Sequence, residues 1–258
     1  MMRFVHVVTL LLLCGVSFGQ TRTENQGSAR ALKGKVYVLT VFVSSGRWTK
    51  EEKTGEYSKI YEAQEWLASQ ARRFNRTVSF EGGTYGLEEP LSLDDLPIGA
   101  ATGNEPTDLV GRVLRKIGYA SPLQFHDWVK ANTSCDQALV LILSDQKGIG
   151  YAMNYIDGVD KETYFLEGCI LYRYYPDGRP MASSSIAHEF LHLFGAWDLY
   201  ETFQQPRDRA DKAAELFPDD VMHRTSYDIG ELEIGRLTAW LVGLTAATEP
   251  WFEWFRPK

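Results

Sequence analysis

Hydrophobic and polar positions change in blocks along the chain, and these blocks predict an ordered series of strands and helices from residue 35 onwards. Runs rich in β-branched and aromatic residues favour strands, whereas apolar residues three and four apart favour helices with one buried face. Strands are predicted at 35–45, 77–85, 137–143, 150–156 and 163–174. Helices are predicted at 56–74, 107–118, 122–131, 182–195, 207–216 and 229–246. This order predicts one α+β domain with a mixed twisted sheet and a mostly helical last third.

The first nineteen residues have the composition of a cleaved signal peptide. Arg3 precedes an apolar run over 7–13, and Ser17 and Gly19 supply the small residues that a cleavage site needs. The apolar run is shorter than the roughly 20 residues of a membrane span. We therefore expect residues 1–19 to be removed on export and the mature chain to be secreted or periplasmic, with no membrane span.

Composition limits the classes of protein that need to be considered. The chain has 258 residues, of which 44% are hydrophobic and 24% are charged, and this balance excludes a disordered protein or a coiled coil. Its net charge of −7 argues against general binding of nucleic acid, which needs a basic surface. Residues 20–34 are polar without periodicity and predict a loose leader. Residues 35–258 are then long enough for one catalytic domain, which we expect to be a monomer.

Two cysteines, Cys135 and Cys169, remain once residues 1–19 are removed. In an oxidising compartment they could form one disulfide, or they could stay as two buried thiols. Neither belongs to a CxxC pair, so neither is a good candidate for a metal ligand or a nucleophile.

The chemistry of the chain is concentrated in the segment 188–192, which has the sequence HEFLH and follows three serines that could cap a helix. A spacing of four residues puts His188 and His192 on one helix face, one turn apart, so both imidazoles can reach one metal ion. Glu189 is placed to contact a water molecule at that metal. The alternative is a helix with two ordinary solvated or core histidines.

The residues that follow favour the metal site. Gly195 lies where a helix can end in a left-handed turn, and such a turn would let Asp198 point back to the metal as a third ligand. Two histidines and one carboxylate leave a fourth position open, as in catalytic zinc sites. A rival third ligand is a glutamate on a later helix, either Glu215 or Glu231.

The full pattern, HEFLHLFGAWD over 188–198, resembles the motif of the metzincin metallopeptidases, HExxHxxGxxH or HExxHxxGxxD. The aspartate version is similar to that of the snapalysin-type enzymes. This resemblance implies a zincin-like fold, a Zn²⁺ ion held by His188, His192 and Asp198, and Glu189 as the general base of peptide hydrolysis.

The resemblance also implies residues around the metal. Metzincins have a methionine-containing turn beneath the metal, and Met222 in the segment PDDVMH is the candidate here. The family binds substrate along an antiparallel edge strand, which corresponds by order to 149–156 and implies contacts from Gly150, Tyr151 and Ala152. The position two residues after Met222 is not a tyrosine; Tyr227 is the nearest one and a further candidate for binding substrate.

The leading hypothesis is therefore a secreted zinc endopeptidase acting on a protein or peptide. Two alternatives stay open. One is a binding or surface protein that keeps the metal only for stability, which the presence of Glu189 disfavours. The other is an amidase that acts on cell-wall peptides.

Overall fold

The computed structural model describes residues 27–46, 48–92, 96, 106–153 and 166–257, so the predicted signal peptide lies outside the described residues. The strands are β1 (Gly34–Ser44), β2 (Val78–Tyr85), β3 (Leu91–Ser92), β4 (Gln137–Lys147), β5 (Tyr151–Met153) and β6 (Gly168–Tyr174). The helices are α1 (Lys50–Arg73), α2 (Pro106–Lys116), α3 (Pro122–Asn132), α4 (Ser183–Leu193), α5 (Arg207–Leu216) and α6 (Arg236–Leu241). Short 3₁₀ helices lie at Ile229–Glu231 and Phe252–Phe255.

The strands form one mixed sheet in the order β2-β1-β4-β6-β5, with β3 paired to the end of β1. The pairings β2 with β1, β1 with β4 and β4 with β6 are parallel, whereas β5 is antiparallel to β6 and lies at the edge. The predicted α+β class and mixed sheet are confirmed, and so is an antiparallel edge strand within 149–156. Residues 154–165, which include the ends of two predicted strands, lie outside the described residues.

Both faces of the sheet are covered, which explains the nearly continuous apolar runs in β1 and β4. Alternate side chains of a strand point to opposite faces. Val36, Val38 and Phe42 accordingly pack on the side of α1, α4 and the C-terminal region. Val41 and Val43 pack on the other side, against α2 and α3. Helix α4 therefore lies on the α1 side of the sheet, where it contacts α1 and the antiparallel edge strand β5.

Two helix boundaries differ from the prediction for local reasons. Helix α1 begins six residues earlier than predicted, because Thr49 and Glu52 form a capping box in which each side chain bonds the other's backbone N–H. The single helix predicted at 229–246 is instead a 3₁₀ helix followed by α6. The N–H of Gly235, just before α6, donates to the carboxylate of Asp220 at 2.9 Å and so starts a separate helix.

The prediction of a loose leader over 20–34 is wrong for the residues that the structure describes. Ala29 and Leu32 are fully buried in the core. The hydroxyl of Ser28 donates to Ala138 O at 2.6 Å, and Ala29 N donates to the buried carboxylate of Glu167 at 2.9 Å. The buried side chains of Ala29 and Leu32 anchor this stretch. Its polar groups are also satisfied, because Ala138 in β4 and Glu167 just before β6 accept their hydrogen bonds.

Cys135 and Cys169 are buried free thiols, so the thiol alternative is the correct one for this pair. Among the described residues, no helix combines the length and the apolar character that crossing a bilayer requires.

The buried Glu167 predicts a specific dependence of stability on pH. Burial raises the pKa of Glu167 to about 7, although hydrogen bonds from Ser28 and Ala29 oppose this. A raised pKa means that the folded state binds the proton more tightly than the unfolded state, so this contribution to stability is present at acidic pH and is lost as pH rises towards 7. We expect the free energy of unfolding of the wild type to fall relative to Glu167→Gln by on the order of 2 to 3 kcal/mol between pH 4.5 and 7.5.

Chemical denaturation at a series of pH values measures this difference. Glu65→Gln, which changes an exposed glutamate of α1, is the matched control and should follow the wild type. Parallel curves for the wild type and Glu167→Gln would contradict the prediction.

Candidate metal centre

Helix α4 carries both motif histidines, but its serines do not cap it as predicted. The helix starts after Ala182 without a side-chain cap. The hydroxyl of Ser183 contacts the carboxylate of Glu62, and Ser184 exchanges hydrogen bonds with the backbone of Ser226 at 2.6 and 3.0 Å. Ser185 bonds the hydroxyl of Tyr175 at 2.6 Å. The prediction of serine caps is therefore wrong, because tertiary partners occupy the hydroxyls and attach the start of α4 to its surroundings.

Backbone carbonyls orient both imidazoles. His188 Nδ1 lies 2.9 Å from Val221 O, and His192 Nδ1 lies 2.9 Å from Ala196 O. A carbonyl only accepts, so each neutral ring carries its proton on Nδ1 and keeps a lone pair on Nε2. The two Nε2 atoms are 3.1 Å apart and face the same point.

Asp198 reaches that point through a turn after α4. Gly195 has φ +94°, the left-handed conformation that favours glycine, and its N–H donates to His192 O at 2.9 Å. The chain then reverses, and Asp198 Oδ1 lies 3.0 Å from His192 Nε2 and 3.2 Å from His188 Nε2. The predicted turn and the predicted return of the aspartate are both present.

The arrangement of these three atoms fits a divalent cation. His188, His192 and Asp198 form a group that could hold a metal ion, and their facing atoms are 3.0 to 3.2 Å apart. A tetrahedral zinc with bonds of 2.0 to 2.2 Å separates its ligand atoms by roughly 3.3 to 3.6 Å. Two imidazole lone pairs and a carboxylate oxygen repel one another when they converge, and a cation between them removes that cost.

The electrostatics at this point also favour positive charge. Without a metal, His192 can take a second proton on Nε2. Burial acts to lower the pKa of His192, but the hydrogen bond from this proton to Asp198 and the charge of Glu189 outweigh burial and raise this pKa to about 9. Burial acts to raise the pKa of Asp198, but its hydrogen bonds to His188 and His192 outweigh burial and hold this pKa well below its usual range. The ligand set thus attracts a cation.

Glu189 lies beside the ligand group with an oxygen that has no hydrogen-bonding partner. Its Oε2 is shielded from solvent and bonds no described residue. Burial raises the pKa of Glu189, and the imidazoles of His188 and His192 only partly oppose this. A carboxylate left unpaired in such a place costs free energy, so its presence indicates a functional group that bonds something besides this chain.

A cavity of about 310 Å³ opens on these residues. His188 and Glu189 lie on one side, and the edge segment 148–150 lies on another. A Cβ atom at Gly150 would be 3.4 Å from Glu189 Oε1, so this glycine lets the edge segment approach the carboxylate closely. The remaining lining is mostly apolar or hydroxyl-bearing: Leu171, Tyr172, Tyr175, Met181, Ser185, Tyr200, Val221, His223, Arg224 and Thr225.

The predicted substrate residues differ in their position relative to this cavity. Gly150 lines it, whereas Tyr151 and Ala152 pack against the core on opposite faces of the sheet. Tyr227 is exposed, and its hydroxyl donates to Pro180 O at 2.9 Å outside the cavity lining. Their contacts with a substrate stay predictions.

Met222 lies in the turn after α5, and its role as the methionine of a metzincin turn stays a prediction. Its side chain is fully buried, and its carbonyl accepts a hydrogen bond from Leu199 N at 2.9 Å, next to Asp198. The neighbouring Val221 O is the group that orients His188. The turn containing Met222 therefore supports two of the three candidate ligands through its backbone.

The rival third ligands are engaged elsewhere. Glu215 pairs with Lys212, and Glu231 accepts from Ser226 Oγ at 2.9 Å; both glutamates are exposed. Neither belongs to the group of candidate ligands.

Tyr200 is the residue of the site that sequence reasoning missed. It follows Asp198 by two positions, lines the cavity, and its ring centre is 6.0 Å from that of His188. Burial raises its pKa well above the usual range, and the charges of Asp198 and Glu189 add to this, so the phenol stays protonated at neutral pH. The sequence offered one indication of this position: Tyr200 follows the candidate ligand Asp198 by only two residues, which places it close to the candidate metal site.

The sequence matches no protein-family model and no curated protein. Solved structures with a similar arrangement include wild-type OgpA from Akkermansia muciniphila in two crystal forms, with 11% identity and TM-scores of 0.37 and 0.38. Catalytically inactive OgpA in complex with an O-glycopeptide (glycodrosocin) substrate matches with 10% identity and a TM-score of 0.37. Each match covers 86% of this chain and 62% of the OgpA chain, so the chain spans less than two thirds of the length of OgpA.

Removal of the third ligand tests the centre directly. Asp198→Ala leaves two imidazoles without the carboxylate charge, and we expect the affinity for Zn²⁺ to fall by more than about 100-fold, beyond the loss typical of residues that only support ligands. Competition with a chelating dye measures this affinity. Asp177→Ala, which removes an exposed aspartate paired with Arg179, is the control and should bind like the wild type. Zinc binding retained in Asp198→Ala would reassign the third ligand.

Proposed function

We propose that this chain is a zinc-dependent endopeptidase with a metzincin-like fold, which hydrolyses peptide bonds in a protein or peptide substrate. The observation that carries the proposal is the placement of Glu189. Its unpaired oxygen lies beside the converging His188, His192 and Asp198, and Glu189 and His188 line one open cavity. Support for the metzincin assignment comes from the HExxHxxGxxD motif, the glycine turn and the buried Met222, whose carbonyl bonds Leu199 N next to Asp198.

Each residue of the site has a defined part in this proposal. His188, His192 and Asp198 would hold Zn²⁺, which supplies Lewis acidity that acidifies a water molecule and polarises the scissile carbonyl. Glu189 accepts the proton of the attacking water and passes it to the leaving amine. The low polarity around Glu189 raises its pKa, which makes it a stronger base than an exposed glutamate.

The edge of the sheet offers a place for an extended substrate. Strand β5 is antiparallel to β6 and has no further strand on its outer side among the described residues. An extended peptide can add to such an edge through backbone hydrogen bonds. Gly150, just before β5, would bring that peptide close to Glu189, because no side chain separates the edge from the carboxylate.

A metal kept only for stability is the second candidate function, and the site argues against it. A structural zinc site is closed by four protein ligands, whereas three candidate ligands meet here beside a cavity. A structural site also gives no reason to leave Glu189 Oε2 shielded and unpaired. The amidase alternative shares the same chemistry and differs only in substrate.

Export of the chain is a further part of the proposal and depends on the composition of residues 1–19 alone. Mass determination of the N-terminus of the protein after expression in a secreting host tests it. A chain that begins at residue 20 supports export, and a chain that retains residues 1–19 contradicts it.

The substitution Glu189→Gln separates catalysis from metal binding. It keeps the size of the side chain but removes the base, so we expect zinc affinity to stay within about threefold while peptide hydrolysis falls by a factor of about 10² to 10⁴. The assay follows chelator-sensitive cleavage by the zinc-loaded protein of a pooled library of plain peptides, glycopeptides and cell-wall peptides.

Glu231→Gln, which changes an exposed carboxylate outside the candidate ligand group, is the matched control and should cleave like the wild type. Full activity in Glu189→Gln would remove the proposed base. Zinc binding without cleavage of any peptide by the wild type would favour the structural role.

A further inference from the structure

A second carboxylate, that of Asp220, is buried in the turn between α5 and α6. Only 1% of its surface is exposed. Its Oδ1 accepts from Met222 N at 2.8 Å, and its Oδ2 accepts from Gly235 N at 2.9 Å and from Thr238 Oγ1 at 2.8 Å. All three donors belong to this chain, so the interactions of Asp220 are internal and do not require a ligand.

These hydrogen bonds join two separate segments. Met222 belongs to the turn after α5, whereas Gly235 and Thr238 belong to the start of α6. A Cβ atom at Gly235 would be 2.6 Å from Asp220 Oδ2, so only glycine leaves room for this carboxylate. The close fit shows that the turn is attached to α6 through Asp220.

The backbone of the same turn leads directly to two candidate ligands. Val221, the next residue, offers the carbonyl that holds His188 Nδ1 at 2.9 Å. Met222, the residue after that, offers the carbonyl that accepts from Leu199 N at 2.9 Å, adjacent to Asp198. A shift of the turn therefore moves the imidazole and the carboxylate together.

We propose that Asp220 is a positioning residue of the metal centre, which fixes the Val221 and Met222 carbonyls and through them the orientation of His188 and Asp198. This inference rests on the proposed function, because it assumes that these residues bind a metal ion. It assigns no contact between Asp220 and the metal or the substrate.

The chemistry of a carboxylate suits this role better than that of an amide. Burial raises the pKa of Asp220 to about 6, with the three hydrogen bonds opposing the rise, so the side chain is mostly ionised at neutral pH. A carboxylate has two accepting oxygens, and both are used. An asparagine has one accepting oxygen, and its amide nitrogen would face either Met222 N–H or the donors of α6. Asp220→Asn therefore keeps the size of the side chain but loses the hydrogen bonds either to Met222 or to Gly235 and Thr238.

The test compares zinc affinity in three variants at pH 7.5. We expect Asp220→Asn to bind Zn²⁺ about 10 to 100 times more weakly than the wild type, the range typical of residues that orient metal ligands. Asp219→Asn is the matched control, because Asp219 is the adjacent exposed aspartate and pairs with Arg224. It should bind zinc like the wild type. Thr238→Val removes one of the three donors and should weaken binding by a smaller factor, so the inference stays testable if Asp220→Asn does not fold.

Two further measurements separate positioning from a general loss of stability. Val113→Ala removes buried volume on the opposite face of the sheet, and it should lower the thermal midpoint of the metal-free protein without changing zinc affinity. Electronic spectra of the Co²⁺-loaded proteins should differ from the wild type in Asp220→Asn and agree with it in Val113→Ala. Equal zinc affinity in the wild type, Asp220→Asn and Thr238→Val would overturn the inference.

The outcomes also distinguish this inference from the proposed function. Zinc affinity that depends on Asp220, in a protein that cleaves no peptide, would support the positioning role and contradict the peptidase. Peptide cleavage with zinc affinity independent of Asp220 would do the reverse. A wild type that binds no zinc would contradict both.

Discussion

Two backbone carbonyls, those of Val221 and Ala196, determine the direction of the imidazole lone pairs. Each accepts the proton of a histidine Nδ1 at 2.9 Å, which turns the two Nε2 atoms towards one point. One carbonyl comes from the turn beneath α4 and the other from the glycine turn after it. Helix α4 alone does not fix the orientation of the two imidazoles. The candidate metal site therefore depends on the positions of both turns.

The fold holds α4 in position through contacts on several of its sides. Serine hydroxyls attach the start of α4 to Glu62, Ser226 and Tyr175, where solvent-exposed caps would leave it free to shift. The sheet edge approaches from the other side, and Gly150 keeps that approach close. The result is a group of converging polar atoms beside a cavity, with one of them, Glu189 Oε2, left unpaired.

The sequence predicts the local part of the site well and the distant part poorly. His188, Glu189, His192, Gly195 and Asp198 lie within eleven residues, so helical spacing and the freedom of one glycine are enough to bring them together. The supporting role of Asp220 depends on Gly235 and Thr238, and no local pattern connects these positions. Contacts between distant positions also explain two wrong predictions. The stretch 27–34 is not loose, because Glu167, far along the chain, anchors it. The predicted helix 229–246 is divided at Gly235, because the N–H of Gly235 bonds Asp220.

The central claim is that His188, His192 and Asp198 bind one zinc ion in an arrangement open to water. A crystal structure of the zinc-loaded protein, with anomalous diffraction measured at the zinc absorption edge, tests this claim most directly. We expect one strong peak per chain, about 2.0 to 2.2 Å from the two Nε2 atoms and from an oxygen of Asp198, with no fourth protein ligand. A peak at other residues, or a fourth protein ligand at this one, would contradict it.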